Sequence, residues 1–288
     1  MKIKKLISAL VLGSMLVGLS GCNITDFSAE NLLRPPKAVG DEAEIEQLIA
    51  KTADSGYTLK YPKNGKFRSA IIMTDLDGND SNEAVAFFRN SAETSSVHML
   101  VMYSKDNSWE IASDNIFETT DIDSVDFADL TGNGKAEIIV NSTTYTPNVG
   151  KLSCYSYSEG KTNEVGSGQS CSSFVTGDFD NDGTSEIMSL VLYTTENEAL
   201  ASMLDYNEDS KSLYAKAMAN MDPNVVKYKN IAVTKLDNDI TGIVVDGTSA
   251  NEVTNTQVIF YSRDLAILRN PLFKEKAKNI TRRSSQII

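Results

Sequence analysis

The chain has 288 residues, with 27 Lys and Arg against 39 Asp and Glu, and a formal net charge of −12. That length is enough for one large domain or two small ones with a sizeable core. So acidic a balance argues against a nucleic-acid partner, and one histidine leaves little for general-base catalysis or a zinc site.

The N-terminus reads as an export signal. Lys2, Lys4 and Lys5 make a positive n-region, and Leu6 to Leu19 carries no charge. That run is short of the roughly 20 apolar residues a bilayer span needs. Leu19-Ser20-Gly21-Cys22 follows directly and resembles a bacterial lipobox. The resemblance implies that residues 1–21 are a lipoprotein signal peptide. It also implies lipid on Cys22 and a place at the cell membrane, on its extracytoplasmic face. Residues 22–40 are polar, contain Pro35-Pro36, and read as a flexible tether. An ordinary secretory peptide with a chance cysteine is the competing reading.

Residues 41–56 form the one convincing helical segment. Ile45, Leu48, Ile49 and Ala53 fall on one face, Asp41 and Glu44 make a capping-box-like start, and Gly56 lies beyond the end. The helix is expected to pack on the first repeat, with partner binding as the alternative.

Residues 57–268 are organised by a repeat. Asp75-Leu76-Asp77-Gly78-Asn79-Asp80-Ser81-Asn82-Glu83 aligns with Asp129-Leu130-Thr131-Gly132-Asn133-Gly134-Lys135-Ala136-Glu137. Both align with Asp178-Phe179-Asp180-Asn181-Asp182-Gly183-Thr184-Ser185-Glu186. A worn fourth copy begins at Lys235-Leu236-Asp237-Asn238-Asp239. Each copy follows a short apolar stretch and precedes a β-rich one, such as Ile187-Met188-Ser189-Leu190-Val191-Leu192. Two more strand-like runs fill each interval. Four strands per roughly 50 residues is the size of a propeller blade. The expected fold is all-β: a propeller-like array of about four four-stranded blades with one short N-terminal helix, with a small closed ring, an open arc and a truncated array all left open.

Each acidic loop offers oxygen ligands at positions 1, 3, 5 and 9. These are Asp75, Asp77, Asn79 and Glu83 in the first loop, and Asp129, Thr131, Asn133 and Glu137 in the second. In the third they are Asp178, Asp180, Asp182 and Glu186. Crowded carboxylates repel unless a cation sits among them, and hard oxygen ligands favour calcium over zinc or copper. Gly134 and Gly183 permit a sharp bend at position 6, where the first loop asks a positive φ of Asp80. An EF-hand needs Glu at position 12, but Ala86, Val140 and Ser189 stand there. A metal-free Asp-rich turn is the other reading of a single loop, and three in register count against it. Thr131 weakens the second loop. In the fourth, Lys235 takes position 1 and its ammonium is expected to replace the ion.

This pattern, from about Phe67 to Tyr261, resembles the FG-GAP or VCBS-type repeats of the integrin alpha-chain propeller. Leu32-Leu33-Arg34-Pro35-Pro36, Leu59-Lys60-Tyr61-Pro62 and Asp75-Leu76-Asp77-Gly78 also resemble the start of repeat-containing lipoproteins of clostridial bacteria. The resemblance implies calcium-stabilised blades whose ions are structural, in a protein without an established catalytic role.

Beyond Cys22, Cys154 and Cys171 leave a disulfide and two free thiols equally open. Residues 269–288 are basic and read as a disordered tail, with contact to anionic polymer or headgroups as the alternative. Trp109, Tyr145, Tyr155, Tyr157 and Tyr193 are candidates for a sugar-stacking face, though strand packing explains them as well. The reading is a lipid-anchored binding or scaffolding module, not an enzyme. Its expected partner is a protein, a glycan or a cell-wall polymer, not a nucleic acid. The alternative is a carbohydrate-active or other hydrolytic enzyme built on a propeller.

Overall fold

The computed structural model describes residues 40–269 apart from 55, 195 and 238. Residues 1–39, on which the expected signal peptide, the expected lipidation at Cys22 and most of the tether fall, lie outside the described residues, as do residues 270–288 of the basic segment. Among the described residues no helix is long and apolar enough to cross a membrane.

Helix α1 spans Asp41–Ala53. Asp41 is already helical, and Gly40 at φ 63° precedes it, so Asp41 does not hold the N-cap position the sequence suggested. Ile45, Ile49 and Ala53 bury one face against Ala84, Ala86, Phe88, Leu100, Met102 and Trp109. Burying each isoleucine stabilises the contact by about 1.5–3 kcal/mol.

Four antiparallel sheets follow. The first holds β1 (Tyr57–Leu59), β2 (Ile71–Thr74), β3 (Glu83–Asn90), β4 (Val97–Lys105) and β5 (Ser108–Phe117). Both β1 and β2 pair with β3, Tyr57 opposite Asn90 and Thr74 opposite Glu83. They form one interrupted edge strand, and residues 60–70 loop out between them. The second sheet holds β6 (Ile122–Ala128), β7 (Glu137–Thr143), β8 (Gly150–Ser158) and β9 (Lys161–Cys171). The third holds β10 (Ser173–Gly177), β11 (Glu186–Tyr193), β12 (Glu198–Asn207) and β13 (Ser212–Asn220). The fourth holds β14 (Val225–Asp237), β15 (Ile240–Ser249), β16 (Thr254–Tyr261) and β17 (Leu265–Arg269).

The sheets pack as successive blades. Phe87, Met99 and Val101 of the first meet Val125, Ile138 and Tyr155 of the second. Ile139, Leu152 and Val165 of the second meet Ile187, Leu204 and Leu213 of the third. Met188, Leu190 and Met203 of the third meet Ile243, Val245 and Ile259 of the fourth. Strands β3, β7 and β11 are therefore covered on both faces. This explains their continuous apolar runs, where a half-buried strand would alternate.

The strand register settles the cysteines. Cys171 lies opposite Gly150, and Cys154 lies opposite Gly166, so four residues of β8 separate the two positions. At about 3.3 Å per residue that is far beyond the roughly 7 Å Cα limit of a disulfide. Both are buried free thiols.

Candidate metal centres

Each acidic loop joins the first long edge strand of its sheet to the next strand, and the glutamate at position 9 opens that second strand. The backbone turns through two left-handed residues per loop. At position 6 these are Asp80 (φ 65°), Gly134 (φ 78°) and Gly183 (φ 95°). At position 4 they are Gly78 (φ 73°), Gly132 (φ 70°) and Asn181 (φ 62°). Glycine, asparagine and aspartate are the residues that enter this region at least cost.

The aspartate at position 1 holds the turn. Asp75 Oδ1 accepts from the Gly78 N–H at 2.7 Å, and its Oδ2 accepts from the Asp80 N–H at 2.9 Å. Asp129 accepts from the N–H groups of Asn133 and Gly134 at 3.1 and 2.7 Å. Asp178 accepts from the Gly183 N–H at 3.2 Å. These backbone donors outweigh some desolvation at Asp75 and hold its carboxyl below the usual range.

The glutamate at position 9 is buried in all three loops. Its Oε2 accepts from the N–H at position 2, at 2.8 Å in Glu83 and Glu137 and 2.7 Å in Glu186. The other oxygen differs among the loops. In the second, the Thr131 hydroxyl donates to Glu137 Oε1 at 3.1 Å. In the third, Glu186 is 0% exposed and its Oε1 has no partner, nor has Asp178 Oδ1. In the first, Asp77 Oδ1 is likewise buried without a partner. Leaving a buried charged acceptor unpaired costs more than a neutral one's roughly 1–3 kcal/mol.

The structure brings the third set together. Asp178, Asp180, Asp182 and Glu186 each place a carboxylate oxygen within 4.8 Å of the others, as do Asp75, Asp77 and Glu83. These acidic groups can hold a metal ion. Desolvation, together with Asp180, Asp182 and Asp205, pushes the Glu186 carboxyl up to about 8. Glu83 and Glu137 are also raised, chiefly by burial. Asn79 and Asn133 accept from the N–H two residues on, at 2.7 and 2.8 Å. Asp182 does the same toward Thr184 at 2.8 Å.

Sequence reasoning missed a cation already present. Lys216 on β13 donates from Nζ to Asp180 Oδ2, and to Asp205 Oδ2 at 2.8 Å. Burial works against its charge, but the two aspartates hold its pKa well above the ordinary lysine range. No local spacing links residue 216 to the third loop, so only the fold could reveal the pair.

The loops also touch one another. The Ala136 N–H donates to Leu76 O at 3.0 Å, and the Ser185 N–H donates to Asp129 O at 2.9 Å. Asn181 Nδ2 donates to Asp239 O at 2.8 Å. The acidic loops thus form a hydrogen-bonded row along one end of the blades.

The fourth repeat departs from expectation. No nine-residue loop forms: β14 continues through Asp237 and turns back at once, with Asp237 opposite Ile240. Lys235 is an exposed strand residue opposite Thr241, not an ammonium in a cation's place.

The aromatic candidates are not brought together. Trp109 packs under α1, Tyr155 and Tyr157 lie between the first two sheets, Tyr193 is half-buried, and Tyr145 is 94% exposed. His98 is clamped: Nδ1 lies 2.9 Å from Asp114 Oδ1, Nε2 lies 3.2 Å from Glu93 Oε2, and the ring stacks on Phe88.

Fold and site together define a class: an all-β, blade-like array carrying acidic loops able to hold metal. No protein-family model matches the chain, and no curated protein sequence matches it.

Proposed function

We propose that the protein is a binding or scaffolding module braced by calcium, built of FG-GAP/VCBS-like repeats and held at the extracytoplasmic face of the membrane by lipid on Cys22. The observation that carries the calcium reading is Glu186 Oε1, a fully buried carboxylate oxygen without a partner beside three aspartates. A divalent cation there supplies what the protein does not. The donors are all oxygen, which suits calcium's preference for six to eight hard ligands and its tolerance of irregular geometry. The first loop offers a second such site, and Thr131 occupies the corresponding place in the second loop.

The ions act structurally in this reading. They neutralise the loops and fix the turns between strands, leaving the remaining surface to recognise a protein, glycan or wall polymer. The conspicuous carboxylates are engaged in the loops, and we assign them no catalytic step.

Thermal unfolding with calcium and with excess chelator tests the first half. The melting temperature is expected to fall on chelation, and an unchanged value removes the metal from this account. Cys22→Ala tests the anchor: the variant is expected in the soluble fraction, and its retention with membranes refutes lipidation.

A further inference from the structure

Resting on the binding-module reading, we infer that the cavity at the end of the blades opposite the acidic loops binds an acidic saccharide, a sugar bearing carboxylate or phosphate. It encloses about 1000 Å³ between the loop at residues 63–66, the start of β6, the β7–β8 turn and the first half of β14. Strand β6 runs from Asp126, its last residue on the wall, to the acidic loop at Asp129, a span of about 10 Å at the usual rise per residue. The cavity is therefore separate from the metal centres.

Charge decides the ligand's sign. Lys66, Lys227 and Lys229 line the cavity, are exposed, and join none of the ion pairs among the described residues. Lys66 has only the Phe67 ring beneath it, at 4.9 Å. The two acids in the lining are held in place by neutral donors, which do not cancel their charge. Asp123 accepts from Asn64 Nδ2 at 2.8 Å and from the Ser124 hydroxyl at 3.0 Å. Asp126 accepts from the Thr176 hydroxyl at 2.9 Å. Three unpaired lysines against these two aspartates leave the wall net positive in a chain of net charge −12.

Hydrogen-bonding character decides the ligand's body. Threonine, serine and asparagine supply much of the polar lining, notably Thr143, Thr146 and Asn148 around the β7–β8 turn. Asn141 also lines the cavity, is 1% exposed, and has Oδ1 without a partner. Of the aromatic lining, Tyr228 is buried with its hydroxyl donating to Met221 Sδ, and Phe174 packs between sheets. A lining poor in open rings and rich in hydroxyl and amide groups matches a polyhydroxylated ligand better than a stacked base or apolar one. Sites of this kind fix orientation through a few placed polar groups.

The test is calorimetric titration of the calcium-loaded protein with trigalacturonic acid, mannose 6-phosphate, neutral galactotriose and inorganic phosphate. One or both acidic sugars are expected to bind, at least 10-fold more tightly than galactotriose. Lys227→Ala/Lys229→Ala should weaken that binding 10-fold or more, with its melting temperature unchanged. Lys235→Ala, on the same strand but outside the lining, should leave it unchanged. Binding of trigalacturonic acid alone marks a carboxylated ligand, and binding of mannose 6-phosphate alone marks a phosphorylated one. Equal binding of galactotriose, binding of inorganic phosphate only, or no binding by any sugar overturns the inference. The calcium-dependent melting temperature, measured on the same samples, reports the metal reading independently.

Discussion

Thr131 donates its hydroxyl to Glu137 Oε1, filling the place that the third loop leaves open at Glu186 Oε1. Two loops of the same length and turn geometry thus solve one electrostatic problem differently. The second satisfies its buried glutamate from within, whereas in the third Lys216 reaches Asp180 and Glu186 Oε1 stays unpartnered, which the calcium proposal fills with the ion. Thr131→Asp should convert the second loop into the third kind. The bound calcium, counted by atomic emission after dialysis, is expected to rise by one ion per chain.

Glu186→Gln separates the buried charge from its counter-ion. The amide keeps the acceptor facing the Phe179 N–H and offers new donors to the neighbouring aspartates. In chelator above pH 8, where the wild-type glutamate is ionised, the variant should melt above the wild type, because an uncompensated buried carboxylate is gone. In calcium it should gain less than the wild type. At a calcium concentration one hundred times the dissociation constant, one site contributes about 2.7 kcal/mol. For a domain of this size that corresponds to roughly 5–10 °C.

The same glutamate sets a pH dependence. Burial raises its folded value from 4.5 to about 8 in the metal-free chain, so the folded state binds its proton more tightly than the unfolded state. Its contribution to stability is complete below the unfolded value and is lost as pH rises through about 8. Melts in chelator should therefore fall between pH 5 and 9. Calcium competes with that proton, so the stabilisation calcium confers should grow over the same interval. A flat difference between the two series would contradict the assignment.

Cys154 and Cys171 should behave as two protected thiols. Burial pushes Cys171 up to about 12 and raises Cys154 further. In a Cys22→Ser protein, a thiol reagent should label neither residue in the native state and both in denaturant. Disulfide formation on mild oxidation of the native protein is not expected, given the register of β8 and β9.

Ile49→Ala should cost about 2–5 kcal/mol, since it opens a void under α1 beside Phe88 and Trp109. Denaturant unfolding would measure it.

The blade pattern was legible because strands and loops carry local signals. Apolar runs such as Ile187 to Leu192 mark strands buried on both sides, and Asp with Gly at fixed offsets marks the turns. The positive φ demanded of Asp80 is present. The fourth repeat misled because its aspartates mimic the motif while too few residues remain to form the loop. The interruption between β1 and β2 does carry a local mark, Pro62 and Asn64-Gly65, but a turn signature alone does not show that the chain returns to pair with the same strand β3. Lys216 meets Asp180 across the third sheet, and the cavity joins residues from three of the sheets. Both depend on long-range packing that no short window encodes.

The row of loop-to-loop bonds has a consequence for unfolding. No sheet shares a strand with its neighbour, so the blades form a nearest-neighbour stack whose cooperativity rests on the contacts between them. The first three are tied loop to loop by backbone bonds, whereas the fourth is held at that end by the Asn181 side chain on Asp239. Fraying should therefore begin at β14–β17, and amide protons there should exchange first, well before those of β7 and β11.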